Sequence, residues 1–302
     1  FAPDSIDPES IKVLDPACGS GHILVESYNL LYRIYEERGY RSREIPELIL
    51  KHNLFGLDID ERAAQLAGFA LLMRARQDDR RLFTRGIRPH IHALQESRHL
   101  NISNLWQMLN LNTDWTAGQV QDMFTVLPQS LVASNPHFSL LNDLYLRFLD
   151  AKTLGSLIEL PTEQKQIIHE FYAILQDLSI SGDAMQKTAA KALLPLLAQA
   201  DVLCQHYDAV IANPPYMGGN SMNYGLKKFA EENFPDSKLD MFTMFIERGF
   251  KLVGEGGFNA MVTMETWMFL SSYKKFRLNI SSCSSIVTLT HLEKMLMGIA
   301  FR

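Results

Sequence analysis

The sequence predicts an α/β protein, a mostly parallel sheet with helices on both faces that also carries an inserted helical subdomain. Three observations lead there. Short apolar runs alternate with helical patterns as far as Leu94; a glycine loop links the first run to its helix; and residues 100–205 carry helical periodicity between the third run and the fourth. The expected organisation is a first half-domain over residues 1–99, the helical insertion over 100–205 and a second half-domain over 206–302.

The first strand is expected near residues 11–14 and runs into Asp15-Pro16-Ala17-Cys18-Gly19-Ser20-Gly21, after which His22-Ile23-Leu24-Val25 opens an apolar helix. The second falls near 54–57, ending at Asp58 within Asn53-Leu54-Phe55-Gly56-Leu57-Asp58-Ile59-Asp60, and the third near 90–94. In the insertion, helical stretches such as Glu163 to Leu178 and Gly182 to Leu203 are punctuated by Gly155, Pro161 and Ser179-Ile180-Ser181-Gly182. Ser134-Asn135-Pro136-His137-Phe138 reads as a helix terminator. Three further strands are expected near 208–212, 258–263 and 286–290.

Strand, glycine loop and helix together make an entrance for a nucleotide-containing cofactor. Gly19 and Gly21 allow a tight turn and close approach of a ligand to the backbone. The spacing lacks the three-glycine dinucleotide fingerprint, and no Lys-Ser or Lys-Thr pair follows to make a phosphate loop. Asp58, at a strand end, suits both hydroxyls of a ribose, and Ile59 suits the attached purine. Further along, Asp208-Ala209-Val210-Ile211-Ala212 stops in Asn213-Pro214-Pro215-Tyr216. Consecutive prolines end a strand, so Asn213 sits where the loop begins. Its side-chain oxygen and the Pro214 carbonyl can accept both hydrogens of a planar amine, while the Tyr216 ring covers the aromatic face. Two acceptors out of the amino plane favour a pyramidal nitrogen with its lone pair free. The loop Met217 to Gly225 has three glycines and little to anchor it, which suits closure over a substrate.

These segments, in this order, resemble the class I S-adenosylmethionine-dependent methyltransferases, whose fold is Rossmann-like. The Asn-Pro-Pro-Tyr tetrapeptide resembles their N6-adenine DNA branch. Asp15 to Leu24 and Gly56 to Ala67 look like the large methyltransferases of restriction-modification and BREX phage-exclusion (PglX-like) systems. The resemblance assigns Asp15, Ala17, Gly19 and Gly21 to the methionine part of S-adenosylmethionine, Asp58 to its ribose and Ile59 to its adenine. Glu96 stands where the family usually has an Asp that receives the adenine amine, and Phe245 matches an aromatic that flanks the purine. Asn213, Pro214, Pro215 and Tyr216 are assigned to catalysis. The same tetrapeptide also serves methylation of a protein glutamine amide or an RNA guanine, and a non-catalytic cofactor-sensing scaffold is a further alternative.

The chain has 302 residues, of which 47% are hydrophobic, enough for a sizeable core. Its three cysteines, Cys18, Cys204 and Cys283, are scattered singly, so neither a zinc site nor a disulfide framework is expected and a cytoplasmic setting fits. Cys18 reads as a small loop residue. The nine histidines form no metal-ligand motif, no metal is expected, and no apolar stretch is long enough to span a bilayer. A net charge of −5 is the wrong sign for holding duplex DNA unaided. Something basic is therefore expected outside this sequence, and the resemblance implies that it is the catalytic part of a larger protein whose separate recognition domain binds DNA, with partner subunits of a defence system. The basic stretch Arg74, Arg76, Arg80, Arg81, Arg85, Arg88 is a candidate phosphate contact, with a solvated helix end and loop the favoured reading.

Overall fold

A computed structural model describes residues 7–111 and 135–291 and has the expected α/β architecture. The strands are β1 (Val13–Asp15), β2 (Leu54–Asp58), β3 (His90–Ala93), β4 (Tyr207–Ala212) and β5 (Val253–Met261), in the order β3-β2-β1-β4-β5. β1 is central and pairs in parallel with β2 and β4, and β2 pairs in parallel with β3. Leu14 therefore faces Phe55 on one side and Val210 on the other. Chain order reverses between β1 and β4, so their carboxyl ends flank the switch point at which open α/β sheets keep ligands.

The chain forms two compact units: Phe1–Ala212 with Gly249–Ala260, and Asn213–Arg248 with Met261–Arg302. In the first, the helix His22–Glu37 buries Leu24, Tyr28, Leu31 and Tyr35, a stripe at steps of four, three and four residues. The helix Glu61–Asp78 starts where the Asp60 carboxylate accepts from the Arg62 N–H at 2.7 Å. It buries Ala64, Ala67, Leu71 and Ala75, and the small Ala67 lets it lie close to the glycine loop. Asn53 is fully buried; its Nδ2 donates to the Pro8 and Ile11 carbonyls, each at 2.7 Å, and its Oδ1 accepts from the Tyr35 hydroxyl at 2.9 Å. Every polar atom of that side chain is thereby matched.

Between β3 and β4 the described residues are helical. Lys165–Ser181 and Ala184–Leu203 form a hairpin whose second helix begins with a reciprocal cap between Asp183 and Gln186. Phe171 and Leu175 on the first helix, with Leu193 and Leu197 on the second, are fully buried. The hairpin also reaches the sheet: buried Gln199 accepts from the Gln95 N–H at 2.7 Å and donates to the Gln95 carbonyl at 3.1 Å, continuing the pairing of the chain just beyond β3.

Several local expectations need correction. Asn135-Pro136 starts a helix rather than ending one: the Asn135 side chain accepts from the His137 N–H, and Pro136 takes the first position of Pro136–Arg147, where a missing N–H does no harm. Ser134 of that segment lies outside the described residues. β5 begins at Val253, five residues before the expected start, and Gly257 is what lets it pass close to β4, since a Cβ there would lie 2.7 Å from the Asp208 carbonyl oxygen. No strand forms at 286–290, where Ile286, Val287 and Leu289 are exposed. Local β preference alone does not make a strand, which also needs a paired neighbour.

Candidate active site

The carboxyl ends of β1 and β2 carry the expected cofactor residues. After Asp15 the chain turns through two residues in left-handed conformation, Gly19 at φ +52° and Gly21 at φ +84°. The two have different jobs. A Cβ at Gly21 would lie 2.8 Å from the Ala67 backbone, so this glycine lets the loop dock on the helix Glu61–Asp78. A Cβ at Gly19 would meet nothing within 4 Å, so this glycine faces open space. The Cys18 N–H donates to the Leu57 carbonyl at 2.9 Å, fastening the loop to β2.

Asp58 joins the two segments. One carboxylate oxygen accepts from the Gly19 N–H at 2.8 Å and the other from the Asp60 N–H at 2.8 Å, which fixes the plane of the group and leaves further lone pairs on each oxygen. Ile59, next in sequence, is 47% exposed, unusual for an isoleucine beside a core strand. Asp15 is almost wholly buried; its Oδ1 accepts from the Ala17 N–H at 3.1 Å. Burial pushes its pKa up to about 7, with the Asp58 charge adding to the shift and the Ala17 N–H opposing it. Burial likewise raises the Cys18 thiol pKa far above its usual range, which suits a packing residue and not a nucleophile. Glu96 follows β3, half-buried, 3.9 Å from Arg98. An open glycine, an oriented carboxylate and an exposed apolar side chain fit a nucleoside cofactor: backbone for its tail, acceptors for its ribose, an apolar face for its base.

In the second unit Asn213 is the first residue after β4. Asn213 and Pro215 are exposed, Pro214 is buried and Tyr216 is half-buried. The Tyr216 hydroxyl lies 2.9 Å from Asn213 Oδ1 and 3.1 Å from the Val262 carbonyl oxygen, so its single hydrogen is shared between two acceptors. Its ring meets Phe242 edge-on at 5.9 Å. Desolvation, and then the Asp240 charge, raises the Tyr216 pKa, keeping the hydroxyl protonated as a donor. Phe245 is 3% exposed on the helix Met241–Leu252, inside the second unit.

Asp240 is the residue that sequence reasoning missed. Its Oδ1 accepts from the Met217 N–H at 3.0 Å, its backbone bridges Gly218, and the Gly219 N–H donates to the Leu239 carbonyl at 2.9 Å. The loop after Tyr216 is thus pinned rather than unanchored, a correction to the expectation of a free lid. Elsewhere, Arg74 pairs with Asp78, and Arg85 with Glu47 and Asp79, so these two members of the basic stretch are already neutralised. No cluster able to hold a metal ion occurs among the described residues, and none of their helices is long and apolar enough to cross a membrane.

Comparison with known proteins bears on this geometry. Residues 52–296 match the family model described as Eco57I restriction-modification methylase. The chain is 53% identical over 298 residues to the adenine-specific methyltransferase BrxX of Escherichia coli O9:H4 (strain HS), covering 99% of this chain and 25% of that protein. It is 34% identical over 292 residues to the adenine-specific methyltransferase PglX of Lacticaseibacillus casei (strain Zhang), covering 94% of this chain and 22% of that protein. The chain thus spans about a quarter of the length of these curated relatives. With a family match across most of its length and an α/β sheet carrying the glycine loop and the Asn-Pro-Pro-Tyr turn, the chain belongs to the Eco57I restriction-modification methylase family.

Proposed function

We propose that the chain transfers a methyl group from S-adenosylmethionine to the N6 amine of adenine in DNA, as the methyltransferase part of a phage-defence or restriction-modification protein. The observation that carries this reading is the turn after β4. Asn213 is exposed, and its Oδ1 already stands within hydrogen-bond reach of a donor, the Tyr216 hydroxyl. The 53% and 34% identities to proteins named adenine-specific methyltransferases support it.

S-adenosylmethionine, when bound, supplies an electrophilic methyl group on a positively charged sulfur. The chain's own residues do the rest. Asp58, oriented by the N–H groups of Gly19 and Asp60, would accept from the ribose hydroxyls. Ile59 would lie against the purine, with Phe245 as its second flank and Glu96 taking its amine. The loop around Asp15, Ala17, Gly19 and Gly21 would hold the methionine part. Asn213 Oδ1 and the Pro214 carbonyl would accept the two hydrogens of the target amine and localise its lone pair, and the extra proton leaves to solvent. Tyr216 would stack on the target base, contributing about 1–3 kcal/mol toward the similar cost of extracting that base from a duplex. DNA recognition, given the net charge of −5, is assigned to other regions of the parent protein, which works in the cytoplasm with defence-system partners.

Mass spectrometry of genomic DNA tests this directly. Cells carrying the full-length parent gene should contain N6-methyladenine that is missing both without the gene and with Asn213→Ala. Methylation of a protein glutamine or an RNA guanine that depends on Asn213, with DNA unchanged, would overturn the DNA reading. No methylated product in any fraction would favour a cofactor-sensing scaffold.

A further inference from the structure

One stretch of the helical insertion, residues 145–158, is bonded to three separate parts of the candidate cofactor cradle. Ser156 is buried, and its hydroxyl donates to the Pro16 carbonyl, inside the glycine loop, at 2.5 Å. Lys152 turns its ammonium group to the Ile59 carbonyl at 2.8 Å and to the Glu61 carboxylate at 3.5 Å. Beside Glu96, the Ser97 N–H donates to the Phe148 carbonyl at 3.1 Å and the Ser97 hydroxyl to the Tyr145 carbonyl at 2.6 Å. Arg98 donates to the Leu149 carbonyl at 2.9 Å and is paired with Asp150. Gly155 completes the fit. It adopts φ +58°, ψ −144°, a conformation open essentially to glycine alone, and a Cβ on it would stand 3.2 Å from Ile59 Cγ2.

These contacts span between 48 and 140 residues of sequence, and two of them, from Ser156 and Lys152, end on backbone carbonyls of segments expected to touch cofactor. The Ser156 bond to the Pro16 carbonyl adds to the loop's own ties to β2 and steadies a stretch whose glycines favour no single conformation. A hydroxyl or ammonium donor fixed from behind restricts the loop to one shape before any ligand arrives, and so reduces the ordering that binding would otherwise require.

We propose that residues 150–158 of the insertion form the outer wall of the cofactor site. Ser156 is a positioning residue for the methionine end, and Lys152, with Gly155, positions the adenine end. The inference rests on the reading of this cradle as an S-adenosylmethionine site. It makes the insertion part of the cofactor machinery and separates its effects along the length of the ligand.

Calorimetric titration of the 302-residue chain with S-adenosylhomocysteine and, separately, with adenosine tests it, with the ligand-free unfolding midpoint read on the same samples. Ser156→Ala should weaken S-adenosylhomocysteine about fivefold to tenfold and leave adenosine within about twofold, since only the former reaches the glycine loop. Lys152→Met should weaken both ligands to a similar degree, about threefold to tenfold, and Lys152→Arg, which keeps a donor, should restore them. Should Ser156→Ala fail to fold, the half-exposed Lys152 pair of variants decides alone. Wild-type binding of both ligands with the variants unchanged, or with Ser156→Ala weakening both alike, overturns the inference and leaves the cofactor reading standing. A wild-type chain that binds neither ligand overturns that reading and the inference with it.

Discussion

Replacing Asp15 with Asn should make the stability of the ligand-free chain less dependent on pH. Asp15 is 1% exposed at the end of β1 and its pKa is raised from 3.8 to about 7, chiefly by desolvation. Because the folded state holds this proton more tightly than the unfolded state, the group's contribution to stability is complete below about pH 4 and is lost as pH rises to about 7. Roughly three pH units at about 1.4 kcal/mol each set a ceiling near 4 kcal/mol, and about two of those units lie above pH 5. Asp15→Asn keeps an oxygen to accept from the Ala17 N–H, now at 3.1 Å, and removes the charge. Urea denaturation at pH 5 and pH 8 is the assay. The variant should gain about 3 kcal/mol on the wild type between the two. A difference that stays the same at both pH values would refute the buried, proton-holding assignment. Cofactor binding offers a second reading of the same group: a cationic ligand beside Asp15 favours its ionised form, so wild-type affinity should rise with pH up to about 7 and level off above it.

Asp58→Ala removes the acceptor of two backbone N–H groups as well as the expected ribose contact, and calorimetry should find S-adenosylmethionine bound about 1.5–3 kcal/mol more weakly. Gly21→Ala combines a φ of +84° with a 2.8 Å approach to Ala67, so urea denaturation should show a loss of roughly 1–3 kcal/mol; a neutral outcome would mean the loop does not dock as described. In the full-length parent, Asn213→Ala should abolish methylation with cofactor affinity nearly intact, whereas Tyr216→Phe, which retains the ring, should keep much of the activity measured by mass spectrometry. The 302-residue chain alone should bind duplex DNA weakly and lose that binding steeply with salt; a gel shift showing salt-resistant preference for one sequence would move recognition into this chain.

What the sequence made legible was written in backbone chemistry. Gly19 and Gly21 signal left-handed turns, Pro214 and Pro215 signal the end of β4, and Asp58 falls where an apolar run meets a helix cap; each depends on its immediate neighbours. Asn135-Pro136 failed because Asn and Pro mark helix starts and loop entries alike, and the side on which the helix lies is set by what packs around it. Ile286 to Leu289 failed for the opposite reason: the local preference for strand is real, but a strand also needs an edge to join. Ser156, Lys152 and Gln199 were invisible because their partners lie 93 to 140 residues away, a distance over which spacing carries no signal. Asp240 belongs with them, since it is the Met217 N–H that gives its carboxylate a purpose.

On the proposed reading of Asn213 as the amine acceptor, the Tyr216 hydroxyl resting on its Oδ1 bears on selectivity. A site whose acceptor already has a donor gains little when a second donor replaces the first, because one hydrogen bond is exchanged for another. For a base that presents an amine the exchange is nearly neutral, and stacking decides the outcome. For a base of similar size with a carbonyl in that place, the Tyr216 contact is lost and two oxygens are brought face to face, which is strongly disfavoured. Asn213 would therefore do little to tighten the grip on the correct base while doing much to turn away the wrong one.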